Sequence, residues 1–471
     1  MSRAQTALLL LMLCLSVIHL LMTVNVDLAN TVAIFFFITL FGLWRCYVTA
    51  NVLKDLNLHI LGSLWLIKIS LTLLLLFIGW IPELQGSIGS WSYDPQRYYY
   101  DAIELIENNW IPNYGAYYQG IIFYYASIFY FLGQNPVIPS LINCLVTLLG
   151  ILFVIRFSYQ EKFSRRPNDW IIALLILIPE VIWYDVMTSR ENLMATLLLV
   201  SCLTMGQYLT DIKKTLTSTL FVVVLCLVLI FAVRTSMAIA VFFSMILMIF
   251  ILPIGHRRSL AIKFFLIPFI VSLILLGPFI QGLFSGHSID YLAMLSKLQS
   301  FDQSLASHVE WSENSLGLLL APHNALEVIL FLVPRMILYL VAPLPNVLFS
   351  VAGLINGSWS DWQYLLVTLT SIMMILAVPY MLAGFSVAFQ YRKKQPKLIV
   401  MYISFWSIFI SIVGGNSVIH ERYRLMATIL FFSCAWIGQA ICTKQQVFYY
   451  AFCWYGLLII GAIFYVLYKS I

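Results

Sequence analysis

The sequence predicts an all-α, polytopic integral membrane protein, and three observations carry that reading. The 471 residues are 62% hydrophobic and 10% charged, whereas a soluble domain is about 25% charged. Apolar stretches of about 15–27 residues recur along the whole chain, and at about 1.5 Å per helical residue most can cross a hydrocarbon core about 30 Å thick. The cations gather in short segments between those stretches, the distribution that orients helices in a bilayer. A net charge of +6 placed in this way sets topology and points away from nucleic acid as a partner.

Taken in order, the predicted spans lie near 4–24, 30–44, 61–82, 137–157, 170–184, 191–210, 216–233, 235–254, 261–283, 363–389, 398–417, 425–441 and 446–468, about 13 transmembrane helices. The first is too long for a signal-peptide core of about 7–15 residues and lacks a small-x-small cleavage site, so it reads as a retained helix. Two more apolar stretches, 117–132 and 327–342, read as interfacial or re-entrant. Charge decides this. Arg156/Lys162/Arg165/Arg166, Lys213/Lys214, Arg257/Arg258/Lys263 and Arg392/Lys393/Lys394/Lys397 form four basic loops, all expected on the cytoplasmic side. Counting 117–132 as a crossing would put the Arg165–Arg166 loop on the wrong face. Its Tyr117, Tyr118, Tyr124, Tyr125 and Tyr130 also suit the headgroup level. The N-terminus is then cytoplasmic and the C-terminus external. One transmembrane domain, 1–471, carries two large outer loops: 83–136, with an acidic, aromatic helix and the interfacial helix, and 284–362.

The densest run of ionisable and aromatic residues lies in the first outer loop: Trp91-Ser92-Tyr93-Asp94-Pro95-Gln96-Arg97-Tyr98-Tyr99-Tyr100-Asp101-Ala102-Ile103-Glu104. Asp94 before Pro95 predicts a helix start, with the carboxylate as N-cap and proline at the first helical position. Asp94, Arg97, Asp101 and Glu104 then fall along one stripe. Such a stripe at the edge of a bilayer suits a phosphorylated or sugar-bearing lipid.

Seven cations break the charge rule by falling on the outer side: Arg97, Arg190, Arg234, Lys297, Arg335, Arg422 and Arg424. Any one of them can snorkel to headgroups. Five arginines near span ends instead form a candidate anion site, because the guanidinium fork matches phosphate and carboxylate. Ser189-Arg190-Glu191-Asn192 opens one span, with Ser189 placed to cap and Glu191 in the dipole-favoured first turn. Val233-Arg234-Thr235-Ser236 is a tight turn between two spans. His420-Glu421-Arg422-Tyr423-Arg424 opens another span with two arginines that oppose the helix dipole. His287, His308 and His323 lack metal-ligand spacing, and the eight scattered cysteines read as small core hydrophobes. No Walker A motif, dinucleotide fingerprint or nucleophile elbow occurs, which favours a lipid-linked donor if the chain is an enzyme.

Several of these segments together resemble a known superfamily. Tyr93-Asp94-Pro95 through Tyr100-Asp101-Ala102, an aromatic helix ending in Phe131-Leu132-Gly133, Ser189-Arg190-Glu191-Asn192, Pro343-Leu344-Pro345 and Glu421-Arg422-Tyr423-Arg424 resemble the GT-C polyprenyl-phosphate-dependent glycosyltransferases and the allied polymerases of bacterial surface polysaccharides. The resemblance spans about residues 60–445 through short motifs. The family usually sets its acidic loop after the first span; here it follows the third.

The resemblance implies a GT-C-like fold in the bacterial inner (plasma) membrane. It also implies transfer of a sugar or oligosaccharide from a polyprenyl-phosphate or -diphosphate carrier to a hydroxyl of a glycan acceptor at the extracytoplasmic face. Asp94 or Asp101 is then the expected base, and Arg190, Arg234, Arg422 and Arg424 the phosphate clamp. Arg97 is expected to hold the aspartates ionised. Glu104, Glu191, Glu421 and His420 line the substrate, and Trp91, Tyr93 and Tyr98 stack on sugars. No metal or cofactor is needed where arginines supply the charge. An O-antigen- or capsule-type polymerase and a lipid-linked oligosaccharide flippase or transporter are the alternatives.

Overall fold

The computed structural model describes residues 28–53, 58–80, 93–111, 119–159, 169–211, 215–234, 237–252, 325–342, 354, 359–415 and 421–470. These residues form helices and no strand: α1 (Leu28–Leu53), α2 (Leu58–Trp80), α3 (Tyr93–Glu107), α4 (Gln119–Leu132), α5 (Val137–Tyr159), α6 (Asp169–Ile176), α7 (Pro179–Val186), α8 (Glu191–Thr210), α9 (Leu216–Arg234), α10 (Ala238–Ile251), α11 (Ala325–Val341), α12 (Trp359–Gln390), α13 (Pro396–Gly415), α14 (Glu421–Ile441) and α15 (Lys444–Ser470). Among them, 9 are long and apolar enough to cross a membrane. The chain is an all-helical membrane protein.

Most predicted spans recur with shifted ends. The span at 30–44 extends to the 26-residue α1, and 191–210 is α8 without change. Two differ in kind. The stretch 170–184 is a pair of 8-residue helices, α6 and α7, because Ile178 leaves helical geometry at ψ 119° before Pro179, as a residue preceding proline tends to do. The stretch 235–254 yields only the 14-residue α10, about 21 Å long and short of a bilayer core. The expected spans at 4–24 and 261–283, and most of the loop 284–362, lie outside the described residues.

Apolar faces turned outward mark the lipid boundary: Phe37 on α1, Phe221 on α9 and Phe448 and Phe452 on α15 are each at least two-thirds exposed. Inside, α5, α8, α13 and α14 form the core, and α14 is the most enclosed, with 89% of its span buried. Small residues permit the closest crossing. A side chain at Gly438 would strike the Tyr380 carbonyl, and one at Gly384 would meet the Gly438 backbone and the Tyr402 hydroxyl. With no hydrophobic drive between helices in lipid, such close backbone approach is how they hold together.

Links of a few residues make α8/α9 and α12/α13 antiparallel pairs, and α15 packs on α12. Lys397 reaches within 3.7 Å of Asp211, so two of the basic loops meet at one end of the bundle. At the opposite end, Asn30 Nδ2 donates to the Leu132 carbonyl at 2.9 Å and Asn135 Nδ2 to Thr31 Oγ1 at 2.7 Å, which sets the starts of α1 and α5 beside the end of α4. The other end of α4 abuts α9, with Gly120 against the Ala232 backbone. Helix α4 therefore lies across the bundle end instead of through it.

A cradle for the Arg190 turn

The end closed by α3 and α4 carries Arg97, Asp101, Arg190 and Arg234 of the predicted site residues. Helix α3 begins at Tyr93, so Asp94 lies in the first turn rather than at the N-cap. The stripe forms as expected further along. Arg97 Nε donates to Asp101 Oδ2 at 3.2 Å, with the two side chains 36% and 12% exposed. Burial pushes the Asp101 carboxyl up; the Arg97 hydrogen bond and charge pull it down, as expected of Arg97, without cancelling that rise, to which Glu104 adds. Arg97 is too exposed for its charge to outweigh the desolvation of Asp101.

Helix α3 ends in a Schellman turn, with Trp110 N bonded to the Leu105 carbonyl at 2.8 Å and Asn109 N to that of Ile106 at 3.2 Å. Asn109 takes the left-handed conformation at φ 52°, and Trp110 follows at φ 65°, which a bulky side chain rarely adopts. That geometry sets the Trp110 indole 6.1 Å from the Phe123 ring and 5.6 Å from that of Tyr130, which ties α3 to α4.

Between α7 and α8 the backbone of residues 187–190 is irregular, and side chains satisfy its carbonyls one by one. Ser140 Oγ donates to Val186 O, Asn143 Nδ2 to Met187 O and Tyr125 Oη to Ser189 O, each at 2.7 Å. Non-helical backbone at this depth is stable only when protein groups replace water. Ser140 and Asn143 sit in the first two turns of α5, so the turn is recessed by about 5–9 Å from the start of that helix. Thr188 Oγ1 reaches out to the Pro95 carbonyl at 2.5 Å. That bond fastens the recessed turn to the first turn of α3, beside Asp94.

Arg190 is on this turn and is buried, with Nε 3.8 Å from Glu191 Oε1. Arg190, not Ser189, is the N-cap of α8 and makes no side-chain cap; the Ser189 hydroxyl turns back toward the Tyr184 carbonyl at 3.5 Å. Arg234 closes α9 with its guanidinium 4.6 Å over the Tyr423 ring, at the start of α14. Since α8 packs against both α9 and α14, Arg190 and Arg234 belong to the same end of the bundle as α3.

Arg424 has a different role from the expected one. Nε donates to Glu180 Oε2 at 3.0 Å, Nη1 to the carbonyls of Tyr339 (3.2 Å) and Ala342, and Nη2 to that of Val367 at 3.1 Å. Nη2 is also 3.0 Å from Glu180 Oε2. All five guanidinium donors are thus spent within the protein, joining α7, α11, α12 and α14. Tyr98 is fully buried and so presents no face for a sugar. Trp91 and His420 lie outside the described residues, as do the side chains of Tyr93, Asp94, Glu421 and Arg422.

A second buried pair escaped the sequence reading. Lys68 Nζ lies 2.6 Å from Asp185 Oδ2, both side chains fully buried. Asp185 also accepts from Asn192 Nδ2 at 2.6 Å, Thr147 Oγ1 at 3.0 Å and Cys144 Sγ at 3.6 Å. Lys68 is a charge in the middle of the predicted span 61–82, but nothing local marks its partner. The available signal was a pair of acids, Glu180 and Asp185, in an otherwise apolar stretch. Five residues apart on a helix, they point about 140° from one another: Glu180 toward α12 and α14, Asp185 toward α2 and α5. Helix α7 is pinned at both ends. Six described cysteines are buried and Cys453 is exposed, and Cys144 bonds with Thr72 at 3.0 Å besides. Among the described residues no cluster of His, Cys, Asp and Glu is placed to hold a metal ion.

Compared with known proteins, the chain matches no family model, no curated protein and no solved structure.

Proposed function

We propose that this protein is a membrane glycosyltransferase that moves a sugar or oligosaccharide from a polyprenyl-(di)phosphate carrier to a hydroxyl acceptor, in cell-surface polysaccharide assembly. The observation that carries the reading is the Thr188–Pro95 bond. It joins the carboxylate-bearing helix α3 to the turn that holds Arg190, so the backbone that carries Asp94 and the backbone that carries Arg190 meet at one bundle end. Inverting transfer needs both acid and cation. A carboxylate, Asp94 or Asp101, takes the acceptor hydroxyl proton as the new bond to the anomeric carbon forms. The bond from that carbon to the carrier phosphate breaks, and Arg190, Arg234 and Arg422 offset the charge left on the phosphate. The raised proton affinity of Asp101 suits a base. Arg424, with its donors filled, anchors the start of α14.

In the test, Asp94→Asn, Asp101→Asn and Arg190→Ala are made singly, membrane insertion is confirmed, and polysaccharide is measured in cells lacking the wild-type gene. Loss of at least about a hundredfold is expected in Arg190→Ala and in one aspartate variant. Full production in all three would sink the proposal. A ladder of chain lengths collapsing to one repeat in the deletion strain would assign the polymerase version.

A transporter or flippase is the second reading, favoured by the broken helix α6–α7 with its two buried ion pairs. Discontinuous helices and intramembrane charges are the usual material of transport sites. Accumulation of complete carrier-linked units on the cytoplasmic side after deletion would select it.

A further inference from the structure

We propose that the groove between α12 and α15, at the end of the bundle that carries the basic loops, binds an anionic phospholipid of the surrounding bilayer. The two helices are tied by Trp454 Nε1 donating to the Ile375 carbonyl at 3.1 Å. Closer to the basic end they enclose a groove of about 340 Å³. Ala383 and Val387 give it an apolar wall, Tyr449 and Tyr450 flank it, and the amides of Gln390 and Gln446 supply polar groups. That order, apolar inside and polar toward the chain ends, matches an acyl chain below its headgroup.

The polar rim is directed as well as present. Gln446 Oε1 accepts from Thr443 N at 2.9 Å and from Thr443 Oγ1 at 3.2 Å, and Gln446 N donates to Thr443 Oγ1 at 3.3 Å, a reciprocal cap at the start of α15. The cap consumes the acceptor of the Gln446 amide and leaves its nitrogen, a donor that a phosphate oxygen can use.

Charge selects the headgroup. Arg392, Lys393 and Lys394 follow Gln390 after one residue, Tyr391, and Lys444 precedes the other wall. Arg392 is held at the end of α12 by donating to the Phe389 carbonyl at 2.9 Å, with its guanidinium 4.3 Å from the Phe389 ring. Lys397 is occupied elsewhere, facing Asp211. No Asp or Glu occurs between Asp361 and Glu421, nor after Glu421, so neither helix neutralises these cations. Basic residues at a membrane face orient helices in any protein; here they also lie next in sequence to a groove with an apolar wall, the arrangement that captures anionic headgroups.

The purified full-length protein is placed in nanodiscs of phosphatidylcholine alone or with phosphatidylglycerol, and bound lipid is counted by native mass spectrometry after delipidation. Phosphatidylglycerol should be retained and phosphatidylcholine lost. Replacing Arg392, Lys393 and Lys394 together with Gln should weaken retention roughly a hundredfold. Ser386→Phe, which fills the groove and leaves every charge in place, should weaken it as well. Unchanged retention in Ser386→Phe, or equal retention of the zwitterionic lipid, overturns the proposal. Should that variant fail to fold, a photoreactive phosphatidylglycerol on the wild type decides: adducts on α12 and α15 support the site, and adducts elsewhere refute it.

Discussion

Asp101 and Arg424 illustrate how one residue's surroundings set its chemistry. Burial raises the Asp101 carboxyl despite Arg97, so the folded protein binds that proton more tightly than the unfolded chain. The stability this contributes is fully present below the ordinary value of 3.8 and is lost as pH rises through the folded value. Asp101→Asn, which has no proton to lose, should therefore gain thermal stability relative to wild type as pH rises through that window. A thermal shift between the two proteins that does not change with pH would contradict the burial argument. For Arg424 the expectation is structural. Arg424→Met removes the guanidinium that pairs with the buried Glu180, a loss of about 3–5 kcal/mol. Adding Glu180→Leu should recover much of it, as read from melting curves of the purified proteins, because two apolar residues leave no buried charge.

Helix α7 is the element on which the site depends. It is eight residues long, too short to hold itself together alone. Its position comes from Glu180 at one end, Asp185 at the other, and a buried face throughout. Asp185 also bonds Asn192 in the first turn of α8, so the Lys68–Asp185 pair fixes both sides of the Arg190 turn. Lys68→Met should loosen that turn selectively. Hydrogen exchange at residues 187–192 is expected to rise well above that in α13, which shares no bond with the pair; uniform exchange would refute this coupling. A different element test concerns the crossing of α12 and α14. Gly438→Ala drives a methyl into the Tyr380 carbonyl and should cost about 1–3 kcal/mol, measured as a lower melting temperature.

At the scale of the molecule, polarity is divided between two ends. One end carries α3, α4 and the recessed Arg190 turn, and the other carries the Asp211–Lys397 contact and the unneutralised cations of α12 and α15. A single crossing direction is expected for each of the helices long enough to span. Cysteines introduced at Gln134 and Gln395, in a background with Cys453 replaced, should label from opposite sides of the membrane with an impermeant maleimide. Labelling of both from one side would invalidate the arrangement of helices.

Periodicity and apolar length alone located nearly every described helix, because in a bilayer the backbone must bond to itself and long apolar runs have no other stable form. The stretch 117–132, expected not to cross, contains α4, both ends of which meet the same end of the bundle. The acid stripe of α3 followed from helical spacing. Tertiary structure decided what distant side chains do to one another. Neither the Lys68–Asp185 pair, 117 positions apart by number, nor the Arg424–Glu180 pair is written in any local pattern. Arg422 and Arg424 look equivalent in sequence, yet the second is consumed by four helices. Local sequence fixes which groups a helix presents; only packing determines whether a buried charge meets a partner or a substrate, because that depends on what other helices bring within hydrogen-bond reach.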